Sequence, residues 1–459
     1  MEVDQLTIKE TLEGFRKKQF SLMELLKSYY EKTKKVNSEL NAFLTIKEFG
    51  PIVENGPLLG IPVALKDIYI TEEMRTTAGS KVLSNYIPSY NATVVDRLFK
   101  SGVVIVGKTN LDAWAHGSSG ENSDFGPAKN PWNLDFVPGG SSSGSAVAVA
   151  AGLCLAATGT DTGGSIRLPA SFCNIVGLKP TYGRVSRYGI IAMASSLDSI
   201  GHFTKTVFDS ALILNITAGY DRYDATTVNV TVPDYTKNIQ KGIKGIKVGI
   251  PKEYFSVGIE PQVKELVINA LKKMETLGAI ITEVTLPHTE YALAVYYIIQ
   301  PAEVSSNLAR YDGIRYGNDR SFFGPEARRR IILGTYTLSA GYYDAYYLKA
   351  MKVRTLLRED FNNAFDKVDV LIAPVSPTLP FKLGEKTNDP LSMYLSDVYT
   401  VTMNLVGVPS LAIPCGFAHG LPVGLQIIGP HFSEELLFQV GHAYQQVTDW
   451  HKRRPNLDS

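Results

Sequence analysis

The sequence predicts an α/β fold: a single large domain with a mixed β-sheet core covered on both faces by helices. Short apolar runs recur along the chain, helical patterns separate most of them, and no internal repeat or low-complexity tract divides the 459 residues. Strands that alternate with helices form βαβ crossovers, which place helices on both faces of a parallel or mixed sheet. These observations favour one domain spanning 1–459 over several separate modules.

The first 40 residues predict a pair of helices. Thr7 with Glu10, and Ser21 with Glu24, have the spacing of a capping box, in which each side chain satisfies a free backbone N–H at a helix start. Seven apolar runs then predict strands at 42–46, 61–65, 103–106, 153–156, 246–250, 280–284 and 370–372. The polar segment 221–245 has few large apolar residues and is predicted to be a surface excursion.

Composition narrows the classes of protein. Hydrophobic residues make up 44% of the chain and charged residues 20%, which is typical of a globular protein with a large core. The 46 basic and 45 acidic residues argue against a generally basic surface that binds nucleic acid directly. Three distant cysteines predict no disulfide framework, and neither a signal peptide nor a membrane span is recognisable, so a cytoplasmic location is expected.

Glycine and serine are concentrated between residues 138 and 167. The run GGSSSG, from Gly139 to Gly144, precedes a helix of small residues, and the run TGGS, from Thr162 to Ser165, follows a strand. Glycines at such turns let backbone N–H groups converge on one point, as a developing oxyanion requires. Taken singly, either run also fits an ordinary flexible loop.

A serine nucleophile needs a group that takes its proton. The seven histidines are scattered, so a Ser-His-Asp site is not favoured. Lys66 instead ends an apolar strand, where burial would disfavour its charge and lower its pKa enough for a neutral base. The alternative is a strand-end lysine that pairs with Asp67 at the surface.

Lys66, the stretch GGSSSGSA and the stretch GTDTGGSIR together resemble the amidase signature family. The resemblance spans nearly the whole chain, with residues 60–205 as its core. It implies that Ser165 is the nucleophile, Ser141 the bridging serine and Lys66 the base. It also implies an oxyanion hole of backbone N–H groups and no metal. The residues concerned are Thr162, Gly163, Gly164 and Ser165.

Other segments resemble one branch of that family, the glutaminase subunits of tRNA-dependent amidotransferases. Examples are GENSDFGPAKNPWN at 120–133, GLKPTYGRVSRYG at 177–189 and LSAGYYDAYYLKAMKVRT at 338–355. The resemblance implies that free glutamine is hydrolysed to glutamate and ammonia. A partner subunit would use the ammonia to convert Glu-tRNA(Gln), Asp-tRNA(Asn) or both into Gln-tRNA(Gln) and Asn-tRNA(Asn).

The same resemblance implies a substrate pocket and a set of partners. Arg330 and Asp397 fall where the family binds the α-carboxylate and α-ammonium of glutamine. Tyr296 or Tyr297 falls where a tyrosine assists, and Gly117 and Ser118 are expected to line the pocket. The partners are a kinase-like B subunit that binds ATP and Mg²⁺ and a small C subunit, with tRNA reached only through the complex. No cofactor is expected in this chain.

Three departures from the family pattern lie outside the three catalytic positions. His116, Gly120 and Ser143 stand where methionine, threonine and glycine respectively are common. Among the alternatives, a stand-alone amidase that acts on another carboxamide would keep the same three catalytic residues. A non-catalytic scaffold subunit is disfavoured because all three are present.

The segment from Gly102 to Thr109 fits the pattern GxxxxGK[ST] of a phosphate-binding loop. A phosphate-binding loop follows a strand and leaves its middle residues open to an anion. Here the four residues VVIV between the glycines read as a strand themselves, after the helical pattern DRLFKS. A nucleotide-binding function for this segment is therefore disfavoured.

Overall fold

A computed structural model describes residues 5–48, 55–256, 258–314 and 317–457, and its centre is one sheet of 11 strands. The strands are β1 (Phe43–Ile46), β2 (Pro62–Lys66), β3 (Val104–Thr109), β4 (Ala156–Asp161), β5 (Val176–Lys179), β6 (Ser199–Thr204), β7 (Lys247–Pro251), β8 (Ile280–Val284), β9 (Val370–Pro374), β10 (Ser410–Ala418) and β11 (Leu421–Ile428). Their order across the sheet is β1-β3-β2-β4-β6-β5-β10-β11-β9-β7-β8.

The sheet is mixed, as predicted. Strand β2 runs parallel to β3 and β4, and β7 runs parallel to β8 and β9. The pairings in the middle, from β4 through β6, β5, β10 and β11 to β9, are all antiparallel.

Helices surround the sheet in the described part of the chain. They are α1 (Ile8–Arg16), α2 (Leu22–Leu40), α3 (Thr93–Lys100), α4 (Ser143–Ala150), α5 (Arg167–Phe172), α6 (Val207–Thr217), α7 (Pro261–Thr276), α8 (Ala292–Asn307), α9 (Pro325–Thr337), α10 (Lys349–Phe365), α11 (Pro390–Leu395), α12 (Val401–Val406) and α13 (Glu434–Gln446). Both capping boxes predicted for α1 and α2 are confirmed.

Core packing shows that both faces of the sheet are covered. Because successive side chains of a strand point to opposite faces, they should enter different apolar clusters. In β2, Val63 and Leu65 belong to one cluster and Ala64 to another. Alternating residues of β9 likewise divide between two clusters. The predicted fold class is thus confirmed.

One predicted strand is misplaced. Residues 153–155 precede β4, and Leu153 donates its backbone N–H to the Ala148 carbonyl in the turn that follows α4. The strand continues instead through the polar residues up to Asp161. Strands β5, β6, β10 and β11 were not predicted, since their glycine, proline and polar residues interrupt the apolar pattern, although every residue of β5, β6 and β11 is buried.

Segment 221–245 has no regular helix or strand, but it does not project freely from the surface. Tyr235, Ile239 and Ile243 are buried in the main apolar cluster. Arg184, which lies outside the segment, donates hydrogen bonds to the Tyr235 hydroxyl and to the carbonyl of Thr231. Along the described chain, no helix combines the length and the apolar character needed to span a bilayer.

Candidate active site

Lys66 lies at the end of β2 and is completely buried. The parallel neighbour β4 carries Thr158 and Thr160 on the face toward Lys66, since residues two apart in a strand share a face. Thr158 Oγ1 accepts the backbone N–H of Lys66 at 2.9 Å, and Thr160 Oγ1 lies 2.7 Å from Lys66 Nζ. Thr160 was not predicted as a site residue, although the alternation Thr158, Thr160, Thr162 was a usable signal.

The serine-rich loop before α4 brings two hydroxyls to the same amine. Lys66 Nζ lies 2.9 Å from Ser141 Oγ and 2.9 Å from Ser142 Oγ, and both serines are fully buried. The peptide bond between Gly140 and Ser141 is cis. The surface pair of Lys66 with Asp67 does not occur, because Lys66 points inward and Asp67 contacts another lysine.

The electrostatic environment suits a neutral amine. Burial lowers the pKa of Lys66 to about 7, although the carboxylates of Asp112, Asp161 and Asp198 act in the opposite direction. A neutral amine has two N–H groups and one lone pair. Ser142 donates its own proton to the Thr160 carbonyl at 3.2 Å, so it accepts from Lys66. With Thr160 as the second acceptor, the lone pair is left for Ser141.

The second predicted loop forms a tight turn between β4 and α5. Gly164 has φ +137°, a conformation that favours glycine, and its backbone N–H donates to Asp161 Oδ1 at 2.9 Å. Ser165 follows it and is 8% exposed, so it is the most accessible of Lys66, Ser141 and Ser165. The Ser165 carbonyl accepts the N–H of Ser142 at 3.2 Å, which joins the two loops.

This arrangement narrows the predicted oxyanion hole. The Gly164 N–H already serves Asp161, so it is not available to an oxyanion. The N–H groups of Thr162, Gly163 and Ser165 have no acceptor among the described residues. A Cβ at Gly163 would lie 2.7 Å from the phenol oxygen of Tyr296, which places that predicted tyrosine against the turn.

A buried ion pair supports the turn. Arg167 Nη2 lies 2.9 Å from Asp161 Oδ1, and neither side chain is exposed. Burial alone would raise the pKa of Asp161, but Arg167 brings it down to about 2. Arg167 also donates to the carbonyl of Thr400 and to Asn404, so the turn is tied to α12 and the residue before it.

Three of the predicted substrate residues line a cavity of about 200 Å³. Gly117, Ser118 and, from α9, Arg330 are among its lining residues. Asp397 joins this group because its Oδ2 accepts from Ser118 Oγ at 2.7 Å and from the Tyr297 hydroxyl at 3.2 Å. Burial raises the pKa of Asp397 to about 6.

Arg330 is buried and partly paired. Its Nε donates to Glu326 at 2.8 Å and its Nη1 to Gln300 at 2.8 Å, while Nη2 has no acceptor among the described residues. The guanidinium lies 5.5 Å from the centre of the Tyr297 ring. Tyr297 therefore contacts both predicted charged groups, and Tyr296 contacts the glycine turn, so both candidate tyrosines reach the site.

In the described part of the sequence, no three His, Cys, Asp or Glu side chains come together as metal ligands.

Two of the three departures from the family pattern are linked: a Cβ at Gly120 would lie 2.6 Å from the Cβ of Ser143, so the two positions share one space. A small residue at 120 therefore accompanies the larger residue at 143.

The phosphate-loop pattern belongs to the sheet. Residues from Val104 to Thr109 form β3, and Lys108 is completely buried. Its Nζ lies 3.2 Å from Asp67 Oδ1 and donates to Tyr69 O and Thr76 Oγ1, each at 2.7 Å. A lysine held by three protein groups in a strand is not available to a phosphate.

The fold, with a buried lysine against paired serines and a glycine turn, defines an amidase. A family profile described as Amidase matches residues 24–438, and the chain belongs to this family. It is 53% identical to the A subunit of glutamyl-tRNA(Gln) amidotransferase from Carboxydothermus hydrogenoformans, over 100% of both chains. The protein of that name from Desulfatibacillum aliphaticivorans is 52% identical over 100% of both.

A solved structure is similar over the same length. The crystal structure of the A subunit of glutamyl-tRNA(Gln) amidotransferase from Thermotoga maritima aligns with a TM-score of 0.89 at 44% identity, covering 100% of this chain and 99% of that one. The similarity thus includes the helices that carry Arg330 and the residues around Asp397, as well as the sheet.

Proposed function

We propose that this chain hydrolyses free glutamine to glutamate and ammonia as the amidase subunit of a tRNA-dependent amidotransferase. The observation that carries the proposal is the contact between buried Lys66 and Ser141, next to a glycine turn that presents Ser165. Full-length similarity to the A subunits of glutamyl-tRNA(Gln) amidotransferases supports glutamine as the amide.

In the proposed reaction, Ser165 attacks the side-chain carboxamide carbon of glutamine. Ser141 takes the proton of Ser165 and passes its own proton to neutral Lys66, while N–H groups of Thr162, Gly163 and Ser165 hold the oxyanion. The relay then returns the proton to the leaving nitrogen, and ammonia departs. Water attacks the acyl-enzyme through the same relay and releases glutamate.

Recognition of the amino acid end uses the two buried charged groups. The α-carboxylate binds Arg330 through the free Nη2, and the α-ammonium binds Asp397. Tyr297 lies against both groups and fixes their separation. A carboxamide without these two charges would leave Nη2 of Arg330 without an acceptor and the Asp397 carboxylate without the α-ammonium, so the site favours glutamine over simple amides.

The ammonia is used elsewhere in the proposed complex. A kinase-like B subunit binds the tRNA, activates its glutamyl or aspartyl group with ATP and Mg²⁺, and receives the ammonia, while a small C subunit completes the assembly. The near-neutral charge of this chain, 46 basic and 45 acidic residues, fits a protein that does not bind tRNA itself. The complex would work in the cytoplasm, together with translation.

The test measures ammonia release from glutamine by the chain with its B and C subunits. Replacing Ser165 by alanine removes the nucleophile and should lower kcat by about 1,000-fold or more, without loss of glutamine binding measured by calorimetry. Ser305→Ala is the matched control, because among the described residues that hydroxyl bonds only the Ala302 carbonyl within α8. It should retain wild-type kcat.

A second assay distinguishes a component of an amidotransferase from a stand-alone amidase. The complex, given ATP, Mg²⁺ and Glu-tRNA(Gln) or Asp-tRNA(Asn), should form the amidated tRNA with glutamine as the nitrogen source. If glutamine stays intact in the full complex while another carboxamide is turned over rapidly, the chain is a stand-alone amidase.

A further inference from the structure

Gln300 is a buried polar side chain that the proposed reaction does not use. It lies on α8 and is completely buried. Its Oε1 accepts a hydrogen bond from Arg330 Nη1 at 2.8 Å, whereas its Nε2 has no acceptor among the described residues. A guanidinium only donates, so Arg330 fixes the amide with its oxygen toward the guanidinium. Because a buried donor without an acceptor is unfavourable, the NH₂ group favours an acceptor that a ligand supplies.

Close packing of two helices holds this amide against Arg330. Gly334 lies one turn after Arg330 on α9, and a Cβ at Gly334 would lie only 1.8 Å from the carbonyl oxygen of Pro301. The backbones of α8 and α9 are therefore in contact next to Gln300, which directly precedes Pro301. The amide and the guanidinium are held together by this contact as well as by their hydrogen bond.

Other polar atoms close to Arg330 also lack partners. His116 directly precedes the cavity residue Gly117 and is completely buried, and neither of its ring nitrogens has a partner among the described residues. Burial and the positive charge of Arg330 lower the pKa of His116 well below its usual value, so the ring is neutral. Buried polar atoms are normally satisfied, so a group of unsatisfied ones around a single cation indicates a polar ligand.

Charge selects an anionic group for this position. Glu326 pairs with both Arg329 and Arg330. One carboxylate does not neutralise two guanidinium groups, so a positive charge remains at Arg330. The free atoms Arg330 Nη2 and Gln300 Nε2 are both N–H donors. A carboxylate accepts several hydrogen bonds and carries the matching charge.

Helix α8 relates this position to the nucleophile. Tyr296 and Gln300 are four residues apart and share one face of α8, with an axial separation of about 6 Å. The Tyr296 hydroxyl lies against Gly163 in the turn that carries Ser165, since a Cβ at Gly163 would lie 2.7 Å from it. The amide is therefore one helical turn beyond the ring that contacts the catalytic turn. Glutamine likewise carries its α-carboxylate beyond the carboxamide that reacts.

The cavity that Arg330 lines also adjoins the bridging serine. Ser118, another of its lining residues, accepts the backbone N–H of Gly140 at its carbonyl at 2.8 Å, and Gly140 directly precedes Ser141. The cavity thus lies beside the loop that places Ser141 against Lys66.

We propose that Gln300 binds the α-carboxylate of glutamine, with Nε2 donating to one carboxylate oxygen while Arg330 Nη2 donates to the other. This inference rests on the proposed function, because it takes the substrate from there. Gln300 does not contact the carboxamide in this arrangement. It therefore determines affinity and selectivity for an amino acid, and it leaves the chemical steps unchanged.

The test measures KM and kcat for glutamine with two variants of the chain, each in complex with the B and C subunits. Gln300→Leu removes the donor and should raise KM about 10-fold to 100-fold, while kcat stays within about 3-fold of the wild type. Gln300→Glu keeps an oxygen for Arg330 Nη1 but places a carboxylate against the α-carboxylate, so KM should rise about 100-fold or more.

A matched substrate and a matched variant serve as controls. γ-Aminobutyramide is glutamine without the α-carboxylate, so kcat/KM for this amide should agree within about 3-fold among the wild type and both variants. Ser305→Ala changes another side chain of α8 and should keep the wild-type KM for glutamine. Thermal unfolding shows whether the variants are folded, and Gln300→Glu decides by itself if Gln300→Leu is not.

The remaining outcomes overturn the proposal. A wild-type KM in Gln300→Glu together with a raised KM in Gln300→Leu would mean that the amide only holds Arg330 through its oxygen. An equal loss of kcat/KM for γ-aminobutyramide would mean that the substitutions disturb the whole site. Hydrolysis of glutamine with a wild-type KM in both variants would overturn this inference alone. A wild-type complex that leaves glutamine intact would overturn the proposed function as well.

Discussion

Lys66 Nζ lies 2.9 Å from Ser141 Oγ, although 75 positions separate the two residues in the chain. The lysine lies at the end of strand β2, and the serine lies in the loop before α4. Burial at 0% exposure for both keeps water from solvating the amine, so the neutral form persists near physiological pH. The contact therefore joins a base to a hydroxyl that can carry a proton.

The pH dependence of glutamine hydrolysis should show this base. Because burial lowers the pKa of Lys66 to about 7, the amine is protonated below that pH and cannot accept a proton. We expect kcat to fall about tenfold per pH unit below pH 7 and to level off above it. Steady-state kinetics at saturating glutamine between pH 5.5 and about 9 gives kcat as a function of pH. A kcat that stays constant down to pH 6 would exclude Lys66 as the base.

Thr160 should act as a positioning residue for Lys66. Thr160→Val removes an acceptor 2.7 Å from Nζ, and the charged amine loses more by this than the neutral one. We expect kcat to fall roughly 10-fold to 100-fold and KM to change little. The acid limb of the pH profile, which is the fall of kcat below pH 7, should move to lower pH.

Thr158→Val is the control for this substitution. Its hydroxyl accepts the backbone N–H of Lys66 and interacts with the Tyr69 side chain, but it does not contact Lys66 Nζ. Its loss should lower the unfolding free energy by about 1 kcal/mol and leave the acid limb of the pH profile of kcat in place. Equal shifts of the limb in both variants would contradict a specific role for Thr160.

The sequence predicted much of the site because its residues are marked by local chemistry. Glycine and serine at turns marked the two loops, and the position of Lys66 at the end of an apolar strand marked a candidate base. The choice of Ser141 and Ser165 among the serines came from the family resemblance. The assignments of Arg330 and Asp397 depended on family resemblance, since nothing in their local pattern distinguishes them from surface charges.

What the sequence did not indicate depends on long-range contacts. Asn404 donates to the carbonyl of Asp161 from 243 positions away, and Thr400 donates to Gly163. Strand β10 was missed because Pro414 and Gly416 break its apolar run, yet it lies in the middle of the sheet. Such polar and small residues are stable in the interior only because distant partners satisfy or cover them.

Asp397 should determine affinity for the α-ammonium. Asp397→Asn keeps the shape and removes the charge, so KM for glutamine should rise roughly 100-fold. Glutaramic acid, which lacks the α-amino group, is the matched substrate and should have the same KM with both enzymes. Since burial raises the pKa of Asp397 to about 6, KM of the wild-type enzyme for glutamine should also rise below pH 6. If Asp397→Asn raised KM for glutaramic acid as much as KM for glutamine, Asp397 would have a structural role instead.

Removing Asp161 should destabilise the fold. Asp161→Asn leaves Arg167 buried without its counter-charge, which should lower the unfolding free energy by about 3 kcal/mol in urea denaturation. The double variant Asp161→Asn with Arg167→Met should lose less unfolding free energy than Asp161→Asn alone. Because the pKa of Asp161 is lowered to about 2 from the usual 3.8, its stabilisation is present above pH 4 and is lost as the pH falls toward 2. A single variant as stable as the wild type would contradict the role of the ion pair.

Lys108 distinguishes the amidase from a nucleotide-binding protein. If Gly102–Thr109 bound phosphate, the chain would bind ATP and Lys108→Met would abolish that binding. The lysine instead lies 3.2 Å from Asp67 in the interior, so we expect no ATP binding by calorimetry in either protein. Lys108→Met should leave Asp67 uncompensated and lower the unfolding free energy by about 3 kcal/mol, while Lys108→Met with Asp67→Asn should recover part of that loss. Micromolar ATP binding that disappears in Lys108→Met would support the nucleotide-binding hypothesis. A lysine whose hydrogen bonds are all made to protein groups would not bind ATP.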